Sequence, residues 1–181
     1  MGKIAVIIPA AGKGERFGGG ERKTFAKLDG RLIFLRSIEL FVNRDDVCQT
    51  ILVVGREDME EIRTRYAANL GFMGVQVCEG GEHRYDSVRA ALQTVRDDAE
   101  LVAVHDAVRP CASKAMIDAV FAEAAKTGAA ILASPLHGTI KRASAAGVID
   151  ATVPRENLYE AQTPQVFRRQ LLLDAYATPP E

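Results

Sequence analysis

Five short runs rich in Val, Ile and Leu recur along the chain: Ile4–Pro9, Ile51–Val54, Val75–Cys78, Leu101–Val104 and Ala130–Ala133. Each is nearly continuous rather than alternating, which is the pattern of a strand buried on both faces. Helical spacing fills the intervals. Leu32, Leu35, Ile38 and Phe41 recur every three residues; Val88, Leu92 and Val95 share one helix face, as do Ile117, Val120, Phe121 and Ala124. Ser113 suits the N-cap of that last helix and Gly128 its C-terminal stop. Strand–helix alternation of this kind predicts an α/β fold, a Rossmann-like three-layer arrangement of a mostly parallel sheet with helices on both faces. One segment breaks the rhythm. Over 136–155, Thr139–Lys141 and Val148–Val153 read as two extended pieces with a turn at Gly147, a projecting β-hairpin arm. A lone hairpin has little to bury, so the arm is expected to pack on its own domain or on a partner subunit. The charge-rich stretch Arg56–Arg65 reads as a solvated helix face. Glu160–Val166, with Thr163 and Gln165 around a proline, reads in isolation as a turn.

The length of 181 residues suits one domain, 1–181, with the arm inserted at 136–155. Hydrophobic residues make up 48% and charged residues 26%, so the chain can build a core without staples and is not disordered. A net charge of -1 provides no bulk field for nucleic acid or membrane, and an anionic ligand must be caught by local cations. No apolar run approaches the ~18–20 residues of a membrane span, and the first residues lack a signal-peptide pattern, so a cytoplasmic location is expected. Cys48, Cys78 and Cys111 lack metal-ligand spacing and are expected as reduced, mostly buried thiols.

In such sheets ligands bind beyond the carboxyl ends of the strands, so the residues after each run carry the candidate chemistry. After the first comes Pro9-Ala-Ala-Gly-Lys-Gly-Glu-Arg-Phe-Gly-Gly-Gly-Glu-Arg-Lys23. Small residues let backbone N–H groups approach phosphate oxygens, and Lys13, Arg16, Arg22 and Lys23 add positive charge. Two better-known phosphate motifs fail: the dinucleotide fingerprint meets Phe17 where it needs glycine, and the P-loop meets Arg22 before Lys23-Thr24. After the third run, Glu79-Gly-Gly-Glu-His-Arg-Tyr-Asp-Ser-Val88 suits a base, a ribose edge or an anion at a helix start, and equally an ordinary turn with Asp86 or Ser87 near a cap. After the fourth, Val104-His-Asp-Ala-Val-Arg-Pro110 puts polar His105-Asp106 at the ligand edge. Asp106 is a candidate for a divalent cation or a substrate hydroxyl, and Arg109 for a phosphate or carboxylate. A local Asp106–Arg109 ion pair that only shapes the loop is the structural alternative. No histidine pair has zinc spacing.

Taken together, these segments resemble the 2-C-methyl-D-erythritol 4-phosphate cytidylyltransferase family of the isoprenoid precursor pathway. The matching pieces are Pro9-Ala-Ala-Gly-x-Gly-x-Arg16, Lys23, Gly80-Gly-x-x-Arg-x-x-Ser-Val88, His105-Asp-Ala-x-Arg-Pro110, Thr139-x-Lys141 and Thr163-Pro-Gln165, in the family's order across nearly the whole chain. The first piece marks only the broader nucleotidyltransferase superfamily; the second glycine motif and the His-Asp-Ala motif are narrower. The resemblance implies transfer of CMP from CTP to the methylerythritol phosphate with release of pyrophosphate. It implies catalytic roles for Arg16, Lys23 and Arg155. Pro9, Ala10, Ala11, Gly12, Gly14, Gly80, Gly81, Glu82 and Ser87 would bind the nucleotide, and Asp106, Arg109, Thr139, Arg155 and Thr163 the acceptor. Mg²⁺ or another divalent cation is the implied cofactor. The implied assembly is a homodimer joined through the arm, with Thr139 and Arg155 serving the neighbouring subunit.

Three features depart from the family pattern. Arg22 and Thr24 flank Lys23 where the family has Pro and Gln, and Glu82 stands where Asp is usual. The family also carries a further strand and helix with a substrate-positioning lysine beyond the point matching Thr178-Pro-Pro-Glu181. The alternatives are a cytidylyltransferase for a pentitol phosphate or sugar phosphate, and a CTP-binding module without turnover.

Overall fold

The structure, a computed structural model, describes residues 3–12 and 23–178. Strand β1 (Ile4–Pro9) lies near the middle of a six-stranded sheet. A short 3-10 turn (Lys23–Phe25) leads to a small hairpin, β2 (Lys27–Leu28) and β3 (Arg31–Leu32), and then to α1 (Ile33–Glu39). Next come β4 (Val47–Val54), α2 (Met59–Glu61), α3 (Ala67–Phe72), β5 (Val75–Glu79), α4 (Arg84–Leu92), β6 (Leu101–Val104) and α5 (Lys114–Thr127). The last part holds β7 (Ala129–Pro135), the arm strands β8 (Ile140–Ala143) and β9 (Ile149–Val153), β10 (Tyr159–Arg168) and α6 (Arg169–Ala177).

The sheet order is β5-β4-β1-β6-β10-β7. β4, β1, β6 and β5 pair in parallel, and β10 runs antiparallel to both of its neighbours. Alternation along each strand divides the core in two. Ile4, Val6, Ile8, Leu52, Val54, Leu101 and Ala103 face one side, where they meet Phe34, Ile38 and Phe41 of the α1 region and Ile117, Val120 and Phe121 of α5. Ala5, Ile7, Ile51, Val53, Val102 and Val104 face the other, against Val88, Ala91 and Leu92 of α4 and Leu172 of α6. Three layers follow, as the alternation of elements predicts; Ile4–Ile8, Ile51–Val54 and Leu101–Val104 are buried on both faces, whereas Val75–Cys78 and Ala130–Ala133, expected to be so, lie in the edge strands β5 and β7 and are partly exposed.

The expected ends of α5 are observed. The Ser113 hydroxyl accepts from Met116 N–H at 3.2 Å, and Gly128 adopts φ +93°, a left-handed angle that a side chain would strain. The arm forms as read, with β8 and β9 antiparallel around Gly147 at φ +80°.

Four further expectations need correction. Glu160–Val166 is not a turn: it lies inside β10, whose register on β7 is interrupted between Ala161 and Gln165, at the cis Thr163–Pro164 peptide. Val95 lies beyond α4, which ends at Leu92, although Val95 is still buried. Arg56–Arg65 is not one regular helix: a 3-10 turn, α2 and a π-helical stretch (Ile62–Tyr66) follow one another, with Asp58 and Ile62 buried. The thiols are free, but Cys48 and Cys78 are half-buried and Cys111 is exposed.

Candidate active site

The carboxyl ends of β1, β5 and β6 bring the sequence motifs to one edge of the sheet. The chain leaves β1 through Ala10, whose N–H donates to the Val53 carbonyl at 2.6 Å. Ala11 and Gly12 follow; Gly14, Arg16 and the side chain of Lys23 lie outside the described residues. The returning chain is pinned beside its departure, since the buried Thr24 hydroxyl donates to the Ala10 carbonyl at 3.3 Å. Thr24, one of the departures from the family pattern, therefore ties the residue after Lys23 to the mouth of the glycine loop.

The loop after β5 lies directly against this mouth. Gly80 N–H donates to the Val54 carbonyl at 2.8 Å. A Cβ at Gly80 would stand 2.6 Å from Ser87 Oγ and 3.0 Å from both Ala11 Cβ and Val53 Cγ1. A Cβ at Gly81 would run into Asp86 Cβ. Two glycines are thus needed here for close approach, while Gly81 and Glu82 themselves stay exposed. Ser87, expected at the nucleotide, is buried with its hydroxyl 3.4 Å from the Gly81 carbonyl, so it braces the loop from behind. Asp86 accepts from His83 N–H at 3.4 Å and closes the first turn of α4. A cavity of about 420 Å³ lies along the loop, lined by Glu79, Gly80, Gly81, Asp86, Arg89, Ala90 and Gln93.

The third segment centres on an ion-pair cluster. Both carboxylate oxygens of Asp106 are engaged: Oδ1 by Arg84 Nη2 at 3.1 Å and Oδ2 by Arg109 Nε at 2.9 Å. Burial alone would push this carboxyl up. The hydrogen bond from Arg109 and the charge of Arg84 outweigh it and hold the group below the usual carboxylate range. Arg109 also donates to the Gln162 side-chain carbonyl. The Asp106–Arg109 pair considered from sequence therefore exists, and Arg84 extends it into a bridge between the β5 loop and the β6 loop. Both Asp106 oxygens are engaged by guanidinium groups, and among the described residues no group of three or more His, Cys, Asp and Glu side chains could hold an ion.

His105 corrects a second expectation. It does not face the ligand edge: it is 0% exposed and packs edge-on against Phe41, ring centroids 5.0 Å apart. Its ring nitrogens lie 3.0 Å from the Arg109 carbonyl and 3.2 Å from Thr163 Oγ1. Burial pushes its imidazole down to about 4, against a smaller upward effect of the Arg109 carbonyl, so the ring is neutral near pH 7. Thr163, expected to touch the acceptor, is also buried, and its oxygen accepts from Asp106 N–H at 3.2 Å.

Thr139 and Arg155 sit at the base of the arm. Both are exposed, and the Arg155 guanidinium donates to the His137 carbonyl. Among the described residues, no hydrogen bond or ion pair joins them to the Asp106 cluster. Arg84 and Gln162 were not singled out from sequence. Arg84 stands in the quoted glycine motif, which was the one signal available; nothing local marks Gln162.

The family profile described as IspD, 2-C-methyl-D-erythritol 4-phosphate cytidylyltransferase, matches residues 4–180. The chain belongs to this family. A cytidylyltransferase of this name from Rhodopirellula baltica is 43% identical over 185 residues, covering 96% of this chain and 75% of that protein. One from Solibacter usitatus is 42% identical, with 96% and 75% covered. Among solved structures, the 4-diphosphocytidyl-2C-methyl-D-erythritol synthase of Anaerococcus prevotii superposes with a TM-score of 0.82 at 26% identity, covering 99% of this chain and 78% of that one. The Francisella tularensis cytidylyltransferase superposes at 0.79 with 29% identity, covering 97% and 76%. The cytidylyltransferase profile spans the glycine loop, the Asp106 bridge and the arm together. Among the described residues, no helix is long and apolar enough to cross a membrane.

Proposed function

We propose that this chain transfers CMP from CTP to 2-C-methyl-D-erythritol 4-phosphate. A phosphate oxygen of the acceptor attacks the α-phosphorus of CTP, the bond to the β-phosphate oxygen breaks, and pyrophosphate leaves. The observation that carries this reading is the Arg84–Asp106–Arg109 bridge, which joins the loop packed on Ala11 to the loop after β6 at one sheet edge. A nucleotide site and an acceptor site are thereby held side by side.

The nucleophile is itself a phosphate, largely dianionic near neutral pH because its second pKa is about 6. It needs no general base, and the buried His105 is not asked to act as one. The demand is electrostatic: anions must be brought together and charge stabilised on the α-phosphate and the leaving pyrophosphate. Arg16 and Lys23 meet that demand in this proposal. Backbone groups of Ala10–Gly12 and Gly80–Glu82 hold the nucleotide, and a carbonyl of the second loop receives the exocyclic amine of cytosine, which uracil lacks. Asp106 and Arg109 hold the acceptor. Mg²⁺ or another divalent cation, carried by the triphosphate rather than by a protein cage, would supply neutralisation of its charge.

The reading includes one nucleotidyltransferase domain, a cytoplasmic location, no nucleic-acid partner and a homodimer joined through the arm. Exposure of Val148 (64%) and Ile149 (61%) on the arm and of Tyr159 (61%) at its base supports a second copy as the cover. Thr139 and Arg155 then complete the neighbouring subunit's acceptor site.

Pyrophosphate release tests the reading, with CTP and 2-C-methyl-D-erythritol 4-phosphate run beside UTP, ATP and pentitol phosphates. Release confined to the first pair is expected; release with a pentitol phosphate alone would move the enzyme to another acceptor. Arg16→Ala and Lys23→Ala should each lower turnover by on the order of 10²–10³.

A further inference from the structure

We propose that His105 is a positioning residue for the acceptor side of the site: held as the Nε2–H tautomer, it ties the two ends of the Asp106–Arg109 turn together and so sets the aim of both charged side chains. The inference rests on the reading of Asp106 and Arg109 as acceptor-binding groups.

The geometry assigns every proton in the chain. Nε2 lies 3.0 Å from the Arg109 carbonyl, which can only accept, so Nε2 carries the hydrogen. A neutral ring then has an unprotonated Nδ1, and it accepts from the Thr163 hydroxyl at 3.2 Å. With its hydrogen committed there, Thr163 Oγ1 uses a lone pair to accept from Asp106 N–H at 3.2 Å. The imidazole thus reaches the last residue of the turn directly and the first through Thr163 on β10. Arg109 N–H donates to the Asp106 carbonyl at 3.2 Å and closes the turn on itself. From the α1 side, the buried Ser37 hydroxyl donates to the Ala107 carbonyl at 2.8 Å. The Asp106 N–H and the Ala107 and Arg109 carbonyls are thus met from inside, and the Asp106 side chain pairs with both Arg109 and Arg84.

A packing role alone does not account for this residue. A phenyl ring would meet Phe41 as well, without placing two polar atoms in a region that is 0% exposed. An acid–base role does not fit either, because no ring atom is open to a substrate and both nitrogens are already paired.

Two measurements test the inference. Imidazole ¹⁵N NMR of the full chain without substrate reads the tautomer directly, with His105→Phe assigning the signal among the three histidines. An Nε2–H ring with a pyridine-like Nδ1 is expected near pH 7; an Nδ1–H ring or an imidazolium overturns the inference whatever the reaction proves to be. Kinetics then read the positioning. His105→Phe removes both ties and should raise the acceptor KM about tenfold, the equivalent of a neutral hydrogen bond or slightly more, with the KM for CTP held within about twofold. His105→Gln, whose amide N–H can replace the Nε2–H donor, should recover part of that loss and serves as the deciding variant if the phenylalanine form does not fold. An unchanged acceptor KM in His105→Gln and His105→Phe, or equal rises in both KM values, overturns the positioning role. A wild-type chain that shows the expected tautomer but no turnover with this pair would instead sink the proposed reaction and the acceptor assignment with it.

Discussion

Gly80→Ala is the sharpest test of the contact between the two nucleotide loops. The added methyl would stand 2.6 Å from Ser87 Oγ, closer than such atoms approach, and 3.0 Å from Ala11 Cβ and Val53 Cγ1. Ser87 and Val53 are buried, at 1% and 0% exposure, so neither can swing into solvent. The Ser87 hydroxyl could rotate away, since its bond to the Gly81 carbonyl is long at 3.4 Å and little would be lost. The two carbon contacts cannot be relieved that way: Ala11 or the β4 backbone must shift. Overpacking of this kind costs about 1–3 kcal/mol. With a urea slope of about 2 kcal/mol per M, the unfolding midpoint should fall by roughly 0.5–1.5 M. The shift also separates the Ala10–Gly12 and Gly80–Glu82 loops, so the KM for CTP should rise several-fold while the acceptor KM changes less. In the double variant with Ser87→Ala the 2.6 Å clash is gone, and the two substitutions together should cost less than the sum of their separate effects. A Gly80→Ala protein with the wild-type midpoint and the wild-type KM for CTP would show that the loops do not press on each other, and the side-by-side placement of the two sites would lose its basis.

Three further outcomes are expected. Because the His105 imidazole is pushed down to about 4 from 6.5, the unfolded chain binds the extra proton between those values, so stability is complete above pH 6.5 and falls as pH drops through the window. The loss should reach about 3 kcal/mol by pH 4, and His105→Gln should flatten it; equal slopes for the two proteins in urea midpoints taken from pH 7 to 4.5 would contradict the burial argument. The lowered carboxyls of Asp106 and Asp118 contribute stability at neutral pH and lose it only as pH falls below about their ordinary 3.8, so they add little to the slope in this window. Thr163→Val strips a buried hydroxyl from between Asp106 N–H and His105 Nδ1 and should cost about 1–3 kcal/mol in urea unfolding; no change would mean that those groups find other partners. Ser113→Ala removes the N-cap of α5 and should cost about 1 kcal/mol by the same assay, with CTP and acceptor KM values unaltered.

The parts of the fold that were legible in the sequence are those whose physics is local. β1 and β6 are buried on both faces, so every position in Ile4–Ile8 and Leu101–Val104 had to be apolar, and the runs stand out. The caps of α5 are chemical signals of one residue each. β10 carries no such signal. Tyr159, Glu160 and Ala161 are exposed, the ladder breaks before Gln165, and only Thr163, Pro164 and Val166 are buried, so its composition is that of a polar turn. What makes it a strand is pairing with β6 and β7, partners 24 to 67 residues away (Tyr159–Pro135 to Arg168–Leu101). α6 is hidden for a similar reason, since Leu172 is its one buried residue. The site divides along the same line. The motif spacing marked Gly80, Gly81, Asp106 and Arg109, because close backbone approach and charge beyond a strand are local properties. The Arg84–Asp106 bond spans 22 residues and no spacing rule reveals it. His105 went against the rule that a polar residue beyond a buried strand faces the ligand. Its place is decided by acceptors and donors on other elements, the Arg109 carbonyl and Thr163, which satisfy both nitrogens inside the protein. A histidine without those partners would have had to turn outward or leave two polar atoms unpaired, a cost of about 1–3 kcal/mol for each. The orientation of this residue is thus a tertiary decision, and the same partners that draw it inward are the ones that fix the turn carrying Asp106 and Arg109.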